Sequence, residues 1–126
     1  NNMYELDCTT DTRKREIVIP RQIAMYLVHK HLDVSLAVNG RHFKRDHATV
    51  IHALKCVKNI MESKSKYDEA FRKDIKEMDY YLKMELNLSK EEIKKLETRE
   101  EIMEIIQEYN LLGLNNLKNN MVVMPN

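Results

Sequence analysis

The chain has 126 residues, 33% of them charged, with a net charge of +1 and only two glycines and two prolines. This length suits one domain with a modest core, and the composition favours an all-α protein. Two glycines are too few for a phosphate-binding loop, no apolar run approaches the roughly 20 residues that span a bilayer, and no signal peptide opens the chain.

The charge is unevenly distributed along the chain. Residues 1–66 hold 12 lysines and arginines against 7 acidic residues, a net +5, whereas residues 67–126 hold 9 against 13, a net −4. This split indicates a surface that binds a polyanion beside a separate interaction or solubilising region. Chance segregation on solvated helices is the alternative. An acidic region that folds over the basic one and inhibits it is a further hypothesis.

A basic run precedes the first predicted helix. Residues 1–19 are mixed in character and contain Arg13, Lys14 and Arg15 in succession. Successive cations in a segment without helical periodicity indicate a flexible basic arm that can approach phosphate groups.

The first predicted helix covers residues 20–32. Pro20 suits its first turn, where the missing N–H costs nothing, and apolar residues then recur at helical spacing as far as Leu32. Arg21 and Gln22 would lie at the helix N-terminus, where backbone N–H groups already favour a phosphate.

Two capping residues divide the next stretch into a short helix and a long one. Ser35 is a suitable N-cap for a short helix that Gly40 ends or interrupts, and Asp46 is a suitable N-cap for the helix after it. Apolar residues continue the second helix to about residue 62. The order of elements over 20–62 predicts a helix-turn-helix.

Further helices are predicted after residue 65. Three pairs stand at the spacing of a capping box: Ser65 with Asp68, Ser89 with Glu92, and Thr98 with Glu101. The predicted apolar stripes are Tyr67, Phe71, Ile75, Met78 and Leu82 in one helix, and Ile102, Ile105, Ile106 and Tyr109 in the last.

Four residues raise the question of a metal site: His42, His47, His52 and Cys56. His52 and Cys56 are four apart on one predicted helix, but the other two lack the pairing that zinc sites use. A partly packed His52 and a small core residue at Cys56 is the simpler interpretation. We expect no metal, no cofactor and no enzymatic activity.

Cys8 and Cys56 do not resemble a disulfide framework, which is consistent with a reducing cytoplasm.

Residues 41–49, RHFKRDHAT, place a basic cluster directly before a polar helix start. Aspartate can accept from a cytosine amino group, histidine and threonine can bond base edges, and the alanine and threonine methyls can touch a thymine methyl. The cations would neutralise phosphates. The same residues would equally well cap a helix on a solvated surface. The candidate DNA-binding residues here are Arg41, Lys44, Arg45, Asp46, His47, Ala48 and Thr49.

Two correctly separated motifs, PRQIAMYL and RDHATVIHA, carry a resemblance to a known family. Over residues 13–83 the chain resembles the C-terminal DNA-binding domain, domain IV, of the bacterial chromosomal replication initiator DnaA. The resemblance implies a Trp-repressor-like helical domain with a helix-turn-helix, and sequence-specific binding to duplex DNA of the DnaA-box kind.

The resemblance also implies individual roles. An arginine of the family's basic loop enters the minor groove, and Arg13 and Arg15 are the candidates. Arg21 and Gln22 fall on a pair that contacts DNA near a helix start. The family's Asp-His-Thr-Thr signature, which contacts bases in the major groove, falls on residues 46–49.

Three departures from the family pattern are visible. Ala48 replaces a threonine, which leaves only a methyl contact. Asn39 replaces an apolar residue. The connection between the two helices is one residue shorter than in the family, and Lys44 stands in place of a glycine.

We therefore predict an all-α protein of three parts: an N-terminal segment over 1–19, a DnaA-like helix-turn-helix domain over 20–85, and an acidic helical extension over 86–126. It would bind double-stranded DNA in the bacterial cytoplasm, at the nucleoid. The first residue is Asn, and the ATPase domain of the initiator is absent, so an excised piece and a stand-alone regulator both remain open. The alternative function is a protein-interaction adaptor that uses Glu91, Glu92, Glu97, Glu100, Glu101 and Glu104.

Overall fold

The computed structural model describes residues 12–87 and 92–114, and within them the side chains of residues 14–86 and 97–114. These residues form helices and connections without a strand, so the all-α prediction is confirmed. Within the described ranges, no helix has the length and apolarity to cross a membrane. The helices are α1 (Thr12–Leu32), α2 (Leu36–His42), α3 (His47–Glu62), α4 (Glu69–Asn87) and α5 (Glu92–Leu112), with a 3₁₀ turn (Lys66–Asp68) before α4.

Helix α1 is the centre of the fold and packs against the other four helices. The middle of α1, residues 18–28, is apolar around most of its circumference, and such a segment is stable only when it is surrounded. Its predicted core residues Ile23, Ala24, Leu27 and Val28 are all fully buried, and so is Met25. One continuous core joins them to buried side chains of α3, α4 and α5.

The start of α1 corrects one prediction, because the helix begins at Thr12 rather than at Pro20. A proline inside a helix removes the hydrogen bond to the carbonyl four residues earlier, which is why Pro20 suggested a helix start. Burial of Val18 and Ile19, at 5% and 3% exposed, favours continuing the helix across that position. The run Arg13–Arg15 is therefore helical and does not form a flexible arm.

Two of the capping boxes predicted after residue 65 do not begin an α-helix. Ser65 Oγ accepts a hydrogen bond from the Tyr67 amide at 3.0 Å, but it caps the 3₁₀ turn, and the Tyr67 side chain is 84% exposed instead of joining the core stripe. Thr98 and Glu101 lie inside α5 and do not begin a helix. Ser89 lies outside the described residues.

Helix α5 packs into the same core as the helix-turn-helix. Ile102, Ile106 and Tyr109 are buried against it, as predicted, and Ile105 is partly buried. The Tyr109 hydroxyl donates to Asp74 Oδ2 at 3.3 Å, and burial together with that carboxylate raises the pKa of Tyr109. The helix ends at Leu112, and Gly113 follows it with a φ of +84° and donates its N–H to the Tyr109 carbonyl at 2.9 Å. The division of the chain at residue 85 stays a prediction.

Candidate nucleic-acid interface

The turn between α2 and α3 is closed by backbone contacts. The amides of Phe43 and Arg45 both donate to the Gly40 carbonyl at 2.9 Å. Gly40 lies inside α2 and does not end it, and a Cβ there would stand 2.4 Å from the Arg45 carbonyl oxygen. Only glycine permits this approach, so Gly40 determines how closely the start of α3 follows α2.

Three cations lie at this turn, Arg41 in the last turn of α2 and Lys44 and Arg45 after it. Arg41, Lys44 and Arg45 are all exposed, while Phe43, at 8% exposed, anchors the turn in the core. Lys44 has a φ of +58°, in the left-handed region that glycine adopts most readily. The glycine that the resemblance implies at this place thus has a conformational reason, and Lys44 adds a positive charge there at some cost in backbone strain.

Buried Asn39 ties α2 to α1. Its Nδ2 donates to the Met25 carbonyl at 3.0 Å, and its side chain is fully buried. The Oδ1 atom has no hydrogen-bond partner among the described residues. An amide at a position where the resemblance implies an apolar residue is therefore half satisfied, and it holds the short helix against the core.

Asp46 caps α3 as predicted. Its Oδ1 accepts from the Thr49 amide at 2.9 Å and from the Thr49 hydroxyl at 2.9 Å. These two bonds lower the pKa of Asp46, the backbone bond contributing more. The Thr49 hydroxyl proton is thereby engaged, so that side chain offers its methyl group and its oxygen lone pairs to a partner.

The solvent side of α3 collects the rest of the predicted recognition residues. His47 is exposed, and Ala48 and Thr49 are half-buried. One turn later Ile51 is 48% exposed, a residue to which sequence reasoning gave no role. Its position between the core residues Val50 and Ala53 is the signal that could have identified it, because helical geometry turns it away from both.

The metal interpretation gains no support. His52 Nε2 lies 3.3 Å from Cys56 Sγ, but the described residues contain no group of three side chains that could hold a metal ion. Cys56 is buried at 3% exposed, as predicted. It is disulfide-bonded, which corrects the expectation of a reduced thiol. Cys8 lies outside the described residues.

Arg21 and Gln22 do not lie at a helix N-terminus, where the sequence predicted them. Because α1 begins at Thr12, Arg21 lies in the helix interior, and no N-terminal amide groups lie beside it. Arg21 is half-buried in a cleft that Ile17 and Leu111 also line, and Gln22 is only 2% exposed. The burial of Gln22 does not favour direct contact with a ligand.

The basic run at the start of α1 points partly inward. Arg15 forms an ion pair with Asp68 and lies over the Phe71 ring, 5.8 Å from its centroid. Lys14 is exposed, and the side chain of Arg13 lies outside the described side chains. Arg15 would have to leave both partners in order to enter a DNA groove.

Helix α5 contacts the helix-turn-helix at two carbonyl groups. Gln107 Nε2 donates to the His42 carbonyl at 3.1 Å, at the last residue of α2. Arg99 donates to the Leu32 carbonyl at the end of α1. Both contacts satisfy carbonyl groups that a helix end leaves without an internal partner, so α5 braces the ends of α1 and α2.

Comparison with known proteins matches part of the chain to one family. The family model described as the bacterial DnaA protein helix-turn-helix matches residues 3–57. The chromosomal replication initiator protein DnaA of Bdellovibrio bacteriovorus is 45% identical over 75 residues, which are 59% of this chain and 15% of that protein. The DnaA protein of Desulfotalea psychrophila is 53% identical over 51 residues, 40% of this chain and 11% of the relative.

The match covers a small part of each relative. The DnaA protein of Caldanaerobacter subterraneus is 39% identical over 77 residues, 61% of this chain and 16% of its own length. The chain thus spans about 15% of the length of the curated relatives it matches. No solved structure matches the chain. The resemblance seen in the sequence is confirmed, since residues 3–57 match the helix-turn-helix model of the DnaA family and the relatives are DnaA proteins.

Proposed function

We propose that this chain binds double-stranded DNA sequence-specifically, at sites of the DnaA-box kind. The observation that carries the proposal is the start of α3, where exposed Asp46 and His47 directly follow the exposed cations Arg41, Lys44 and Arg45. In a helix-turn-helix, the N-terminal residues of the second helix enter the major groove first. The DnaA family match supports the same assignment.

Direct contact with bases would come from residues 46–49. Asp46 uses Oδ1 for capping, so Oδ2 is the oxygen that would accept from a cytosine amino group. His47 can donate or accept at a base edge. Ala48 and Thr49 present methyl groups, and the loss of a hydroxyl at Ala48 would shift the preferred sequence at one position.

Contacts with the DNA backbone would come from the cations. Arg41, Lys44 and Arg45 on the turn would neutralise phosphates and set the register of α3 in the groove. Lys14 and Arg21 would add positive charge from α1, and Arg13 is the better candidate for the minor groove, because Arg15 is paired with Asp68. Counterion release from these contacts would make the affinity fall steeply with salt.

Selection from a randomised duplex pool at two salt concentrations tests the proposal. Enrichment of one motif by the wild type, weakened at the higher salt, is the expected result. His47→Ala should lower the affinity for that motif by about 1–3 kcal/mol and blur one or two of its positions. Glu104→Ala, on the exposed face of α5, is the control and should leave the motif unchanged. An unchanged motif with His47→Ala would contradict the assignment of α3.

The wider role follows from the relatives that carry this domain. We propose that the chain acts at replication origins in the bacterial cytoplasm, at the nucleoid, either as the DNA-binding part of an initiator or as a regulator of its sites. Binding would involve no chemical step and no cofactor. The ATPase work of an initiator would have to come from another polypeptide or domain.

A second candidate function uses the exposed face of α5. Glu97, Glu100, Glu101 and Glu104 are half to fully exposed along the outer side of α5, a pattern that suits a basic protein partner. Glu91 and the side chain of Glu92 lie outside the described residues. An adaptor of this kind would bind its partner through α5 without DNA. Reversal of two of these charges, Glu100→Lys with Glu104→Lys, should then abolish partner binding and leave duplex binding intact or stronger.

A further inference from the structure

The middle of α3 carries an apolar cleft on its solvent side. Ala48, Ile51, His52 and Lys55 line this cleft, which has a volume of about 240 Å³. Their spacing of three, four and seven residues places them on one face of the helix. The cleft therefore continues the surface that Asp46 and His47 begin, one helical turn further along α3.

Ile51 is the residue that makes this cleft unusual. Its side chain is 48% exposed, while Val50 and Ala53 on either side of it are buried, at 0% and 1%. The core is thus packed without Ile51. A single exposed isoleucine needs no explanation, but one that lines a cleft on the face of the second helix of a helix-turn-helix is suited to an apolar group of the ligand.

We propose that this cleft binds the 5-methyl group of a pyrimidine in the major groove, and that Ile51 determines specificity for thymine. The proposal rests on the DNA-binding function proposed above. The thymine methyl is the one apolar group on the major-groove edge of the four base pairs. Exposed Lys55 and Lys58 on the same helix give the surroundings a positive charge that suits a phosphate backbone and disfavours a basic partner.

Lys55 favours thymine over 5-methylcytosine, which carries the same methyl group. A lysine ammonium only donates hydrogen bonds. Thymine presents the O4 acceptor beside its methyl group, whereas 5-methylcytosine presents an amino donor at the equivalent place. The methyl group would therefore occupy the contact with Ile51 and Ala48, and the O4 atom would face Lys55.

Replacement of thymine by deoxyuridine tests the cleft, because it removes the methyl group and nothing else. In the duplex selected by the wild-type chain, each thymine is replaced singly, and the dissociation constant is measured for each duplex. One position should weaken binding by the wild type about fourfold, the effect of burying a single methyl group. Ile51→Ala should discriminate between the thymine and deoxyuridine duplexes at that position clearly less than the wild type does, because only the Ala48 contact remains, and Ile51→Val should retain more of the difference.

Met84→Ala is the matched control, because Met84 is an exposed apolar side chain on α4, at 44% exposed. It should discriminate thymine from deoxyuridine as the wild type does. Thermal unfolding of both alanine variants checks that neither disturbs the fold. At the sensitive position, 5-methylcytosine should restore less affinity than thymine, and equal affinity for the two would overturn the assignment to thymine.

Two other outcomes would overturn the inference. If Ile51→Ala distinguished thymine from deoxyuridine at every position as the wild type does, the cleft would not bind a methyl group. Self-association lost in Ile51→Ala, with DNA binding unchanged, would assign the cleft to a second copy of the chain. Failure of the wild type to bind any duplex would instead contradict the proposed function, so the two failures are distinguishable.

Discussion

Helices α3 and α5 pack against the same central helix and differ in what they present to solvent. Each buries an apolar stripe in the common core, with Val50 and Val57 in α3 and Ile102 and Ile106 in α5. The exposed side of α3 carries His47, Ile51, Lys55 and Lys58. That of α5 carries Glu97, Glu100, Glu101, Glu104 and Glu108. The buried stripe positions a helix, and the exposed residues select what it can bind.

The contrast has an electrostatic consequence. The face of α3 attracts a polyanion, whereas the glutamates of α5 repel one. We therefore expect α5 to contribute to DNA binding only by supporting the helix-turn-helix, through the core and through the contact of Gln107 with the His42 carbonyl.

The largest expected effect comes from Ile106→Ala. Ile106 is fully buried in the core that α5 shares with α1, so truncation leaves a cavity and should lower the free energy of unfolding by about 3 kcal/mol. Leu111→Ala, at a side chain 78% exposed on the same helix, should change it by less than about 0.5 kcal/mol. Urea unfolding measures both. Equal, small effects would mean that α5 is not part of the core.

Gly40→Ala should damage the turn instead of the core. The new Cβ would meet the Arg45 carbonyl oxygen at 2.4 Å, and relief of that clash requires a backbone shift. We expect a loss of about 2 kcal/mol in unfolding free energy, together with weaker DNA binding. Ala37→Ser, on the exposed side of the same helix, is the control. A Gly40→Ala variant as stable as the wild type would contradict the closeness of the turn.

Lys44→Gly, in contrast to Gly40→Ala, should raise the free energy of unfolding. A residue with a Cβ at a φ of +58° is strained, and glycine would relieve the strain at the cost of greater freedom in the unfolded chain. The unfolding free energy should rise by about 0.5–1 kcal/mol, while DNA affinity falls with the lost charge. Lys58→Gly, inside α3, should instead lower stability by about 1 kcal/mol. If Lys44→Gly lowered the free energy of unfolding, the backbone at Lys44 would not be strained, and the prediction would be contradicted.

The smallest effect concerns the cap of α3. The pKa of Asp46 is lowered in the folded state, so its contribution to stability is complete above the ordinary pKa of 3.8 and is lost as the pH falls through the folded value. Thr49→Val removes the hydroxyl donor and keeps the amide, and should raise the pKa of Asp46 part of the way to 3.8. Thr49→Ser should leave it low. NMR titration of the Asp46 carboxyl measures this pKa in each variant. The same pKa in Thr49→Val as in the wild type would contradict the hydrogen bond from the Thr49 hydroxyl to Asp46.

The helix-turn-helix could be predicted from the sequence because its signals are local. Ser35 and Asp46 each accept a hydrogen bond from an amide three residues later, and such capping depends on nothing outside the first turn. Core stripes were predictable for the same reason, since the spacing of Val50, Ala53 and Val57 is a property of one helix.

The remaining features depend on contacts between distant segments. Pro20 suggested a helix start, but burial of Val18 and Ile19 extends α1 through it. Gln22 is buried by the surrounding helices, which no motif reveals. The helical position of Ile51 turns it away from Val50 and Ala53, but its role depends on the exposure that the packing leaves it, 48%. The sequence therefore predicted which segment forms the candidate DNA-binding site, but not which of its side chains are exposed and which are buried.

Chemical-shift mapping on addition of a selected duplex distinguishes DNA contact by α3 from contact by α5, because it observes both helices in one experiment. We expect large amide shifts at His47, Thr49 and Ile51 of α3 and methyl shifts at Thr49 and Ile51, while the amide signals of Glu100 and Glu104 of α5 stay unchanged. Shifts concentrated on α5, or spread evenly over both helices, would contradict the assignment of DNA binding to α3.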